Sequence, residues 1–383
     1  MTPVVARTEA VRKAEAGDER RRVALVISHL GHGGAERVAA ALARCWASAG
    51  HEVALVTMAS RNEDAVPFPS SVNRVALDLL RPSRNILEGA MLSSWRVLAL
   101  RRALRRLQAD VVVSFLDRTN VVTLLATLGA GLPVFVCERS DPRLAPIGKP
   151  WSALRRVLYP RAAGVVVQTE SVARWAHAFC SRVHVIPNFV ELPPSTSTPG
   201  VEEGQKMLLA LGRLSREKGF DLLIQAFARI APAHPDWSLT ILGEGSERQP
   251  LEALVTALGL LGRVSLPGSV ADPRTHLAAA HAFALPSRYE GFPNALLEAM
   301  ACGLPVAAFD CQSGPAEIIT HERDGLLVPA GDVAHLAAAL DRLAGSAAER
   351  ARLGQHARDI AVRLAPGPVL EKWAALLRGE GQW

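Results

Sequence analysis

Two glutamates eight residues apart, Glu290 and Glu298, frame the stretch "EGFPNALLE", with no charge between them. Carboxylates accept hydrogen bonds from hydroxyl groups, so this pair suits a ligand with hydroxyls at both ends. The spacer offers a different chemistry. Proline fits the first helical position, where its missing N–H is not needed. A helix starting near Pro293 leaves the amides around Asn294 and Ala295 without intrahelical partners, and such an end attracts phosphate. A carboxylate inside that turn would repel the anion. Glu290 therefore precedes the turn and can face a reacting sugar. Glu298, about one helical turn further in, can accept from a ribose diol.

Upstream, "LGRLSREKGF" places Arg213 and Lys218 in a strand-to-helix loop, two cations suited to a pyrophosphate. Carboxylates around a centre of cations and amides match a sugar nucleotide. No Asp-x-Asp occurs in the chain, whereas a bound divalent ion needs oxygen ligands of that kind. The expectation is that Arg213, Lys218 and helix amides stabilise a departing diphosphate without a metal, and that no cofactor is required. His29 and His32 are three apart but lack a third ligand. Around them, "SHLGHGGAERV" joins a strand to a helix, and Gly31, Gly33 and Gly34 permit close backbone approach. Counted from Gly31, the Rossmann fingerprint fails, because Glu36 stands where its third glycine belongs. "CERSDPR" brings Glu138, Arg139 and Asp141 to the carboxyl end of a strand, where a local ion pair is the plain alternative.

The elements that must hold these residues repeat one rhythm in both halves. Strands such as "EVALVTM", "DVVVSF" and "AGVVVQT", then "MLLALGRL", "SLTILGEG", "AFALPS" and "PVAAFD", alternate with helical stretches. Near-continuous β-branched and aliphatic runs indicate parallel strands buried on both faces. The fold class is α/β, with two doubly wound, Rossmann-like domains whose ligands sit at the carboxyl ends of the strands, facing a cleft. The expected divisions are a disordered leader over 1–20, an acceptor domain over 21–190, a linker over 191–205, a donor domain over 206–365, and a C-terminal helix over 366–383 packing back on the first domain. The linker rests on the proline-rich "PNFVELPPSTSTPGVEEGQ".

At 383 residues and 49% apolar, the chain has material for two cores. Its five cysteines are scattered, which fits buried thiols in a reducing compartment rather than a disulfide framework. The charge-free run from Thr119 to Cys137 is interrupted by "GAGLP" and divides into a short helix and a strand, each too short to span a bilayer. Net charge is +6, divided as +11 over residues 1–190 and −5 over the rest. In "NILEGAMLSSWRVLALRRALRRL", Val97, Leu100, Leu104 and Leu107 share one helical face at about 100° per residue. Arg101, Arg102, Arg105 and Arg106 share the other, with Trp95 among them. Arginines beside an indole suit an anionic membrane surface or a lipid pyrophosphate. A solvated basic face is the alternative, and no RNA-binding motif supports a nucleic-acid partner.

These stretches together resemble the family-4 retaining glycosyltransferases of the GT-B fold, from Arg22 to about Leu370. The carrying motifs are "GGAERV", "VIPN", "GRLSREKGFDLLIQAF", "LGEGSERQPLEAL", "LPGSVAD", "SRYEGFPNALLEAMACGLPV" and "DGLLVPAGD". The resemblance implies that Glu290 contacts the donor sugar, Glu298 the ribose, and Arg213 and Lys218 the diphosphate. It further implies that Phe292, Pro293 and Asn294 form the turn over the phosphates and sugar, that Val270 grips the base, and that Gly34 approaches the diphosphate. Where many relatives carry a histidine, this chain has Glu138-Arg139, and Arg139 is the expected substitute. Within the family, the chain looks most like enzymes extending lipid-linked oligosaccharides or exopolysaccharides, including N-acetylgalactosaminyltransferases. The expected function is transfer of a hexose or N-acetylhexosamine from a UDP-linked donor to a lipid-linked glycan, at the cytoplasmic face of the membrane. A soluble acceptor, or a sugar-nucleotide epimerase, is the alternative.

Overall fold

The computed structural model describes residues 20–31, 33–81, 84–190, 204–270 and 272–378. The expected leader apart from Arg20, most of the expected linker and His32 lie outside the described residues. Two compact units form, one from the chain up to Asn188 and from Gly367 on, the other from Phe189–Pro366.

The first unit runs β1 (Arg22–Ile27), α1 (Gly34–Ser48), β2 (Glu52–Thr57), β3 (Asn73–Ala76), α2 (Ile86–Leu107), β4 (Val111–Phe115), α3 (Asp117–Thr127), β5 (Val134–Cys137), α4 (Lys149–Leu158), β6 (Gly164–Val167), α5 (Glu170–His177) and β7 (Val183–Val185). Its seven strands are parallel in the order β3-β2-β1-β4-β5-β6-β7. In register, Val23 lies beside Val53 on one side and Val111 on the other. Every residue of β4, β5 and β6 is buried, as continuous apolar runs require when helices cover both faces. The run from Thr119 to Cys137 divides as expected: α3 ends at Thr127, left-handed Gly129 and Gly131 turn the chain, and β5 follows. No helix among the described residues is long and apolar enough to cross a membrane.

Helix α2 buries Leu100 and Leu104 and lays Val97 and Leu107 against the same cluster, the face expected from their spacing. Asn85 caps it by accepting from the Glu88 amide at 2.9 Å.

The second unit runs β8 (Lys206–Leu211), α6 (Phe220–Ile230), β9 (Trp237–Leu242), α7 (Arg248–Ala257), β10 (Val264–Gly268), α8 (Arg274–Ala279), β11 (Ala282–Leu285), α9 (Asn294–Ala301), β12 (Val306–Asp310), α10 (Pro315–Ile318), β13 (Leu326–Pro329), α11 (Val333–Gly345), α12 (Ala347–Ala357) and α13 (Ile360–Arg363). Its six parallel strands lie in the order β10-β9-β8-β11-β12-β13. The chain moves outward from β8 through β9 to β10, then returns to the other side of β8 with β11. That reversal is the switch point at which open α/β sheets bind ligands.

The last helix, α14 (Pro366–Arg378), belongs from Gly367 on to the first unit. Its fully buried Trp373 meets Trp46 edge-on at 5.9 Å between ring centres, and Arg21 Nη1 donates to the Leu377 carbonyl at 2.6 Å.

Candidate active site

The switch point of the second unit brings together the loop after β8 and the loop after β11. Lys218 closes the one-turn 3-10 helix Arg216–Lys218, and its Nζ donates to Glu290 Oε1 at 2.6 Å across a sequence gap of 72 residues. Glu290 is only 7% exposed. The same Oε1 accepts from Ser287 Oγ at 2.6 Å, while Ser313 Oγ, from the loop after β12, donates to the Glu290 carbonyl at 2.7 Å. Three strand-end loops therefore converge on one acid. A buried carboxylate needs such partners, since desolvation without them costs several kcal/mol.

A second pair fixes the loops to each other. Arg288 grips Asp221, in the first turn of α6, through both nitrogens at 2.8 and 2.7 Å, and its main-chain N–H donates to the Glu217 carbonyl at 2.8 Å. Burial would raise the Asp221 carboxyl, but the Arg288 fork and charge outweigh it and hold it below the usual range. Two glycines allow this closeness. Gly219 is left-handed (φ 67°), and a Cβ there would lie 2.1 Å from the Pro286 carbonyl oxygen. At Gly243 a Cβ would fall 1.9 Å from the Gly212 carbonyl, so the loops after β8 and β9 touch backbone to backbone.

Arg213 lies in the same loop as Lys218, exposed, with no side-chain hydrogen bond or ion pair among the described residues. The two cations thus differ: one is paired with an acid, the other is open. Pro293 departs from expectation by one residue. Its ψ of 92° is extended, which makes it the residue before the helix, and Asn294 is the first helical position. The helical ladder begins with Leu296 and Leu297 donating to the Pro293 carbonyl, so the helix start still lies beside Glu290. Phe292 is buried in an apolar cluster that includes Leu285, Leu296 and Leu297, and Val270, after β10, packs on the same cluster. Glu298 follows one turn inside α9, partly buried.

In the first unit, Gly34 opens α1 after Gly33. The strand-end residues beside it make a chain that spacing alone did not reveal. Ser28 Oγ lies 2.8 Å from His29 Nδ1, and His29 Nε2 lies 3.1 Å from Glu36 Oε1. The buried Glu36 carboxylate folds back to where a Cβ on Gly33 would sit, 2.1 Å from its Oε2. The amino end of α1 therefore already holds an acid of its own.

At the end of β5, Glu138 and Arg139 do not pair with each other. Glu138 Oε1 accepts from the Tyr159 hydroxyl at 2.5 Å and Arg155 Nη1 at 3.2 Å. Burial pushes its carboxyl up to about 7, against the pull of the Arg155 charge and the Tyr159 bond. Arg139 donates through Nη1 to Asn188 Oδ1 at 3.0 Å and stacks on Phe115 at 4.8 Å, with Trp373 at 5.9 Å. Its Nε and Nη2 are buried without a hydrogen-bond partner among the described residues. Asp141 binds Arg143 at 2.6 Å instead. On α2, Trp95 is 55% exposed, Arg102, Arg105 and Arg106 are exposed, and Arg101 is half-buried.

Sequence reasoning found Lys218 and Glu290 singly, and missed Ser287, Ser313, and the Arg288–Asp221 clamp. The "SRYE" spacing, a serine three residues before a buried acid, was the available signal.

Comparison with known proteins accords with this arrangement. The model described as Glycosyltransferase Family 4 matches residues 32–192, and that described as Glycosyl transferases group 1 matches residues 196–360. An exopolysaccharide phosphotransferase of Streptomyces coelicolor is 34% identical over 72% of this chain, although the match spans only 29% of that protein. A Campylobacter jejuni GalNAc-alpha-(1->4)-GalNAc-alpha-(1->3)-diNAcBac-PP-undecaprenol alpha-1,4-N-acetyl-D-galactosaminyltransferase is 28% identical, over 93% of this chain and 98% of its own. The solved structure of Anabaena HepE in complex with UDP and glucose superposes with a TM-score of 0.77 at 21% identity, covering 94% of this chain and 100% of that one. With matches running nearly end to end and a parallel-sheet unit in each half, the chain belongs to the family-4 glycosyltransferases of the GT-B fold.

Proposed function

We propose that the chain transfers a hexose or N-acetylhexosamine from a UDP-linked sugar to a lipid-linked oligosaccharide or polysaccharide precursor, with retention of configuration and without a metal ion. The observation that carries this reading is the Lys218–Glu290 pair at the switch point of the second unit, beside the start of α9. Arg213, Lys218 and the α9 amides receive the diphosphate, and Glu298 accepts from the ribose. Val270 lies against the base, and Phe292, Pro293 and Asn294 form the turn over phosphates and sugar. Glu290 orients the sugar.

In the reaction, the bond from the anomeric carbon to the diphosphate oxygen breaks and the acceptor oxygen bonds to that carbon from the same face. The acceptor proton passes to the departing phosphate oxygen. Charge grows on the diphosphate as an oxocarbenium-like sugar forms, and cations already in place stabilise it at little reorganisation cost. On the acceptor side the reading keeps Arg139, whose Nε and Nη2 retain donor capacity. The exposed Trp95 and the arginines of α2 face an anionic membrane surface on its cytoplasmic side.

The lipid-linked substrate named for the Campylobacter relative supports the acceptor class, and the UDP and glucose bound to HepE support the donor class. The absence of any Asp-x-Asp supports metal independence. The test is UDP release from a panel of UDP-sugars, with and without membrane lipid extract, in buffer and in EDTA. Turnover that needs lipid and survives EDTA is expected. Loss of turnover in EDTA would overturn the metal-free reading, and full turnover without lipid extract would overturn the lipid-linked one.

A further inference from the structure

The four arginines of α2 divide into two sets. Arg101 and Arg105 line a cleft of about 300 Å³ together with Leu104, Gln108, Asp110 and Leu132. It lies where α2 and α3 end and where β4 and β5 begin, at the amino-terminal edge of the sheet. Gly33 and Gly34, which follow β1, belong to the opposite edge. Arg102 and Arg106 take no part in the cleft.

The cleft is net positive. Asp110 accepts from Arg22 through its main-chain N–H at 2.8 Å, Nε at 3.2 Å and Nη2 at 2.7 Å; these bonds hold its carboxyl below the usual range and cancel its charge. The carboxyl ends of α2 and α3 add about half a negative charge each. Against that roughly single charge stand two guanidinium groups, neither with a side-chain hydrogen bond or ion pair among the described residues. Arg74 and Arg143 of the same unit, by contrast, are held by Asp64 at 2.7 Å and Asp141 at 2.6 Å. Gln108 Oε1 is taken by Arg22 Nη1 at 3.0 Å, which leaves its amide NH₂ to donate. Arginine and amide donors lining one cleft with Leu104 and Leu132 fit an anionic group carried on a carbon chain.

We propose that this cleft binds a phosphate-bearing headgroup, with Arg101 and Arg105 on the phosphoryl oxygens and Leu104 and Leu132 against the attached chain. The site is separate from the sugar-transfer site and does not depend on that reaction. The test is arginine modification by phenylglyoxal on the full chain, read at each residue by mass spectrometry. Saturating UDP is present throughout to fill the proposed donor site. Inorganic diphosphate, phosphatidylglycerol vesicles and phosphatidylcholine vesicles form the three arms. Labelling of Arg101 and Arg105 should fall at least fivefold with one or both anionic probes. Protection by the vesicles alone assigns a lipid source, and protection by diphosphate assigns a soluble one. Unchanged labelling at both arginines, or equal protection by phosphatidylcholine, overturns the site. A fall confined to Arg102 and Arg106 likewise overturns it, while supporting the membrane-facing reading of α2.

Discussion

Glu138 provides a test of the β5 strand end that needs no substrate. The residue is 2% exposed, and burial raises its carboxyl to about 7 from an ordinary value of 4.5, even with Arg155 and Tyr159 bonded to it. A raised value means that the folded state holds the proton more tightly than the unfolded chain does. The stabilisation is therefore complete below about pH 4.5 and is lost as pH rises through 7. A shift of this size amounts to about 3 kcal/mol, with a slope approaching about 1.4 kcal/mol per pH unit inside the window. Glu138→Gln stays neutral at every pH and still offers an oxygen to the Tyr159 hydroxyl. Urea unfolding of both proteins from pH 5 to pH 8 isolates the effect. Tryptophan fluorescence is a suitable probe, because Trp46, Trp95, Trp151, Trp175 and Trp373 all lie in this unit, against Trp237 in the other. Wild type should lose about 2.5 kcal/mol relative to the variant across that range. A difference that is flat, or that favours wild type more as pH rises, would mean that the carboxyl is ionised throughout and that the Arg155 ion pair outweighs desolvation.

Three further outcomes are expected. Glu290→Gln should lower turnover about 100-fold, equivalent to about 2.7 kcal/mol, while UDP affinity by titration stays within a factor of two or three; wild-type turnover would remove its orienting role. Arg288→Ala should cost the second unit about 2 kcal/mol in urea unfolding and weaken UDP binding, and Arg288→Lys should recover less than half, since a lysine does not reproduce the two-point grip. Charge reversal at Arg102 and Arg106 should weaken binding to anionic vesicles at least about thirtyfold, and unchanged sedimentation with vesicles would sink the membrane reading.

The strands were legible because burial on both faces writes itself as runs such as "VVVSF" and "GVVV". The buried face of α2 was legible because its period of 3.6 survives in Val97, Leu100, Leu104 and Leu107. What the sequence withheld is lateral order. Nothing in "EKGF" or "RYEGF" says that β8 and β11 are neighbours, so the bond from Lys218 to Glu290 was invisible although each residue was already singled out. The position of Pro293 was misread by one residue because its preference for the first helical position is a local tendency. Here the turn continues through it with an extended ψ. Arg139 drew attention as a strand-end cation, but its stacking on Phe115 and its bond to Asn188 depend on residues far away in sequence.

The pairing of Lys218 changes what its charge can do. A cation held 2.6 Å from a buried carboxylate is not simply open to an incoming diphosphate. The anion must share or replace that bond, and Glu290 must then settle on another donor. Ser287 already bonds the same oxygen, so the acid does not become an orphan when the lysine turns away. On the proposed reading, a neutral sugar hydroxyl near Glu290 restores the lost bond, whereas inorganic phosphate would bring a negative charge against the carboxylate. Discrimination of a nucleotide sugar from free phosphate would then arise from one exchange of partners, with Arg213 supplying an attraction common to both. The apolar turn between Glu290 and Glu298 fits the same logic, because a third carboxylate there would repel the anion without offering Lys218 a useful exchange.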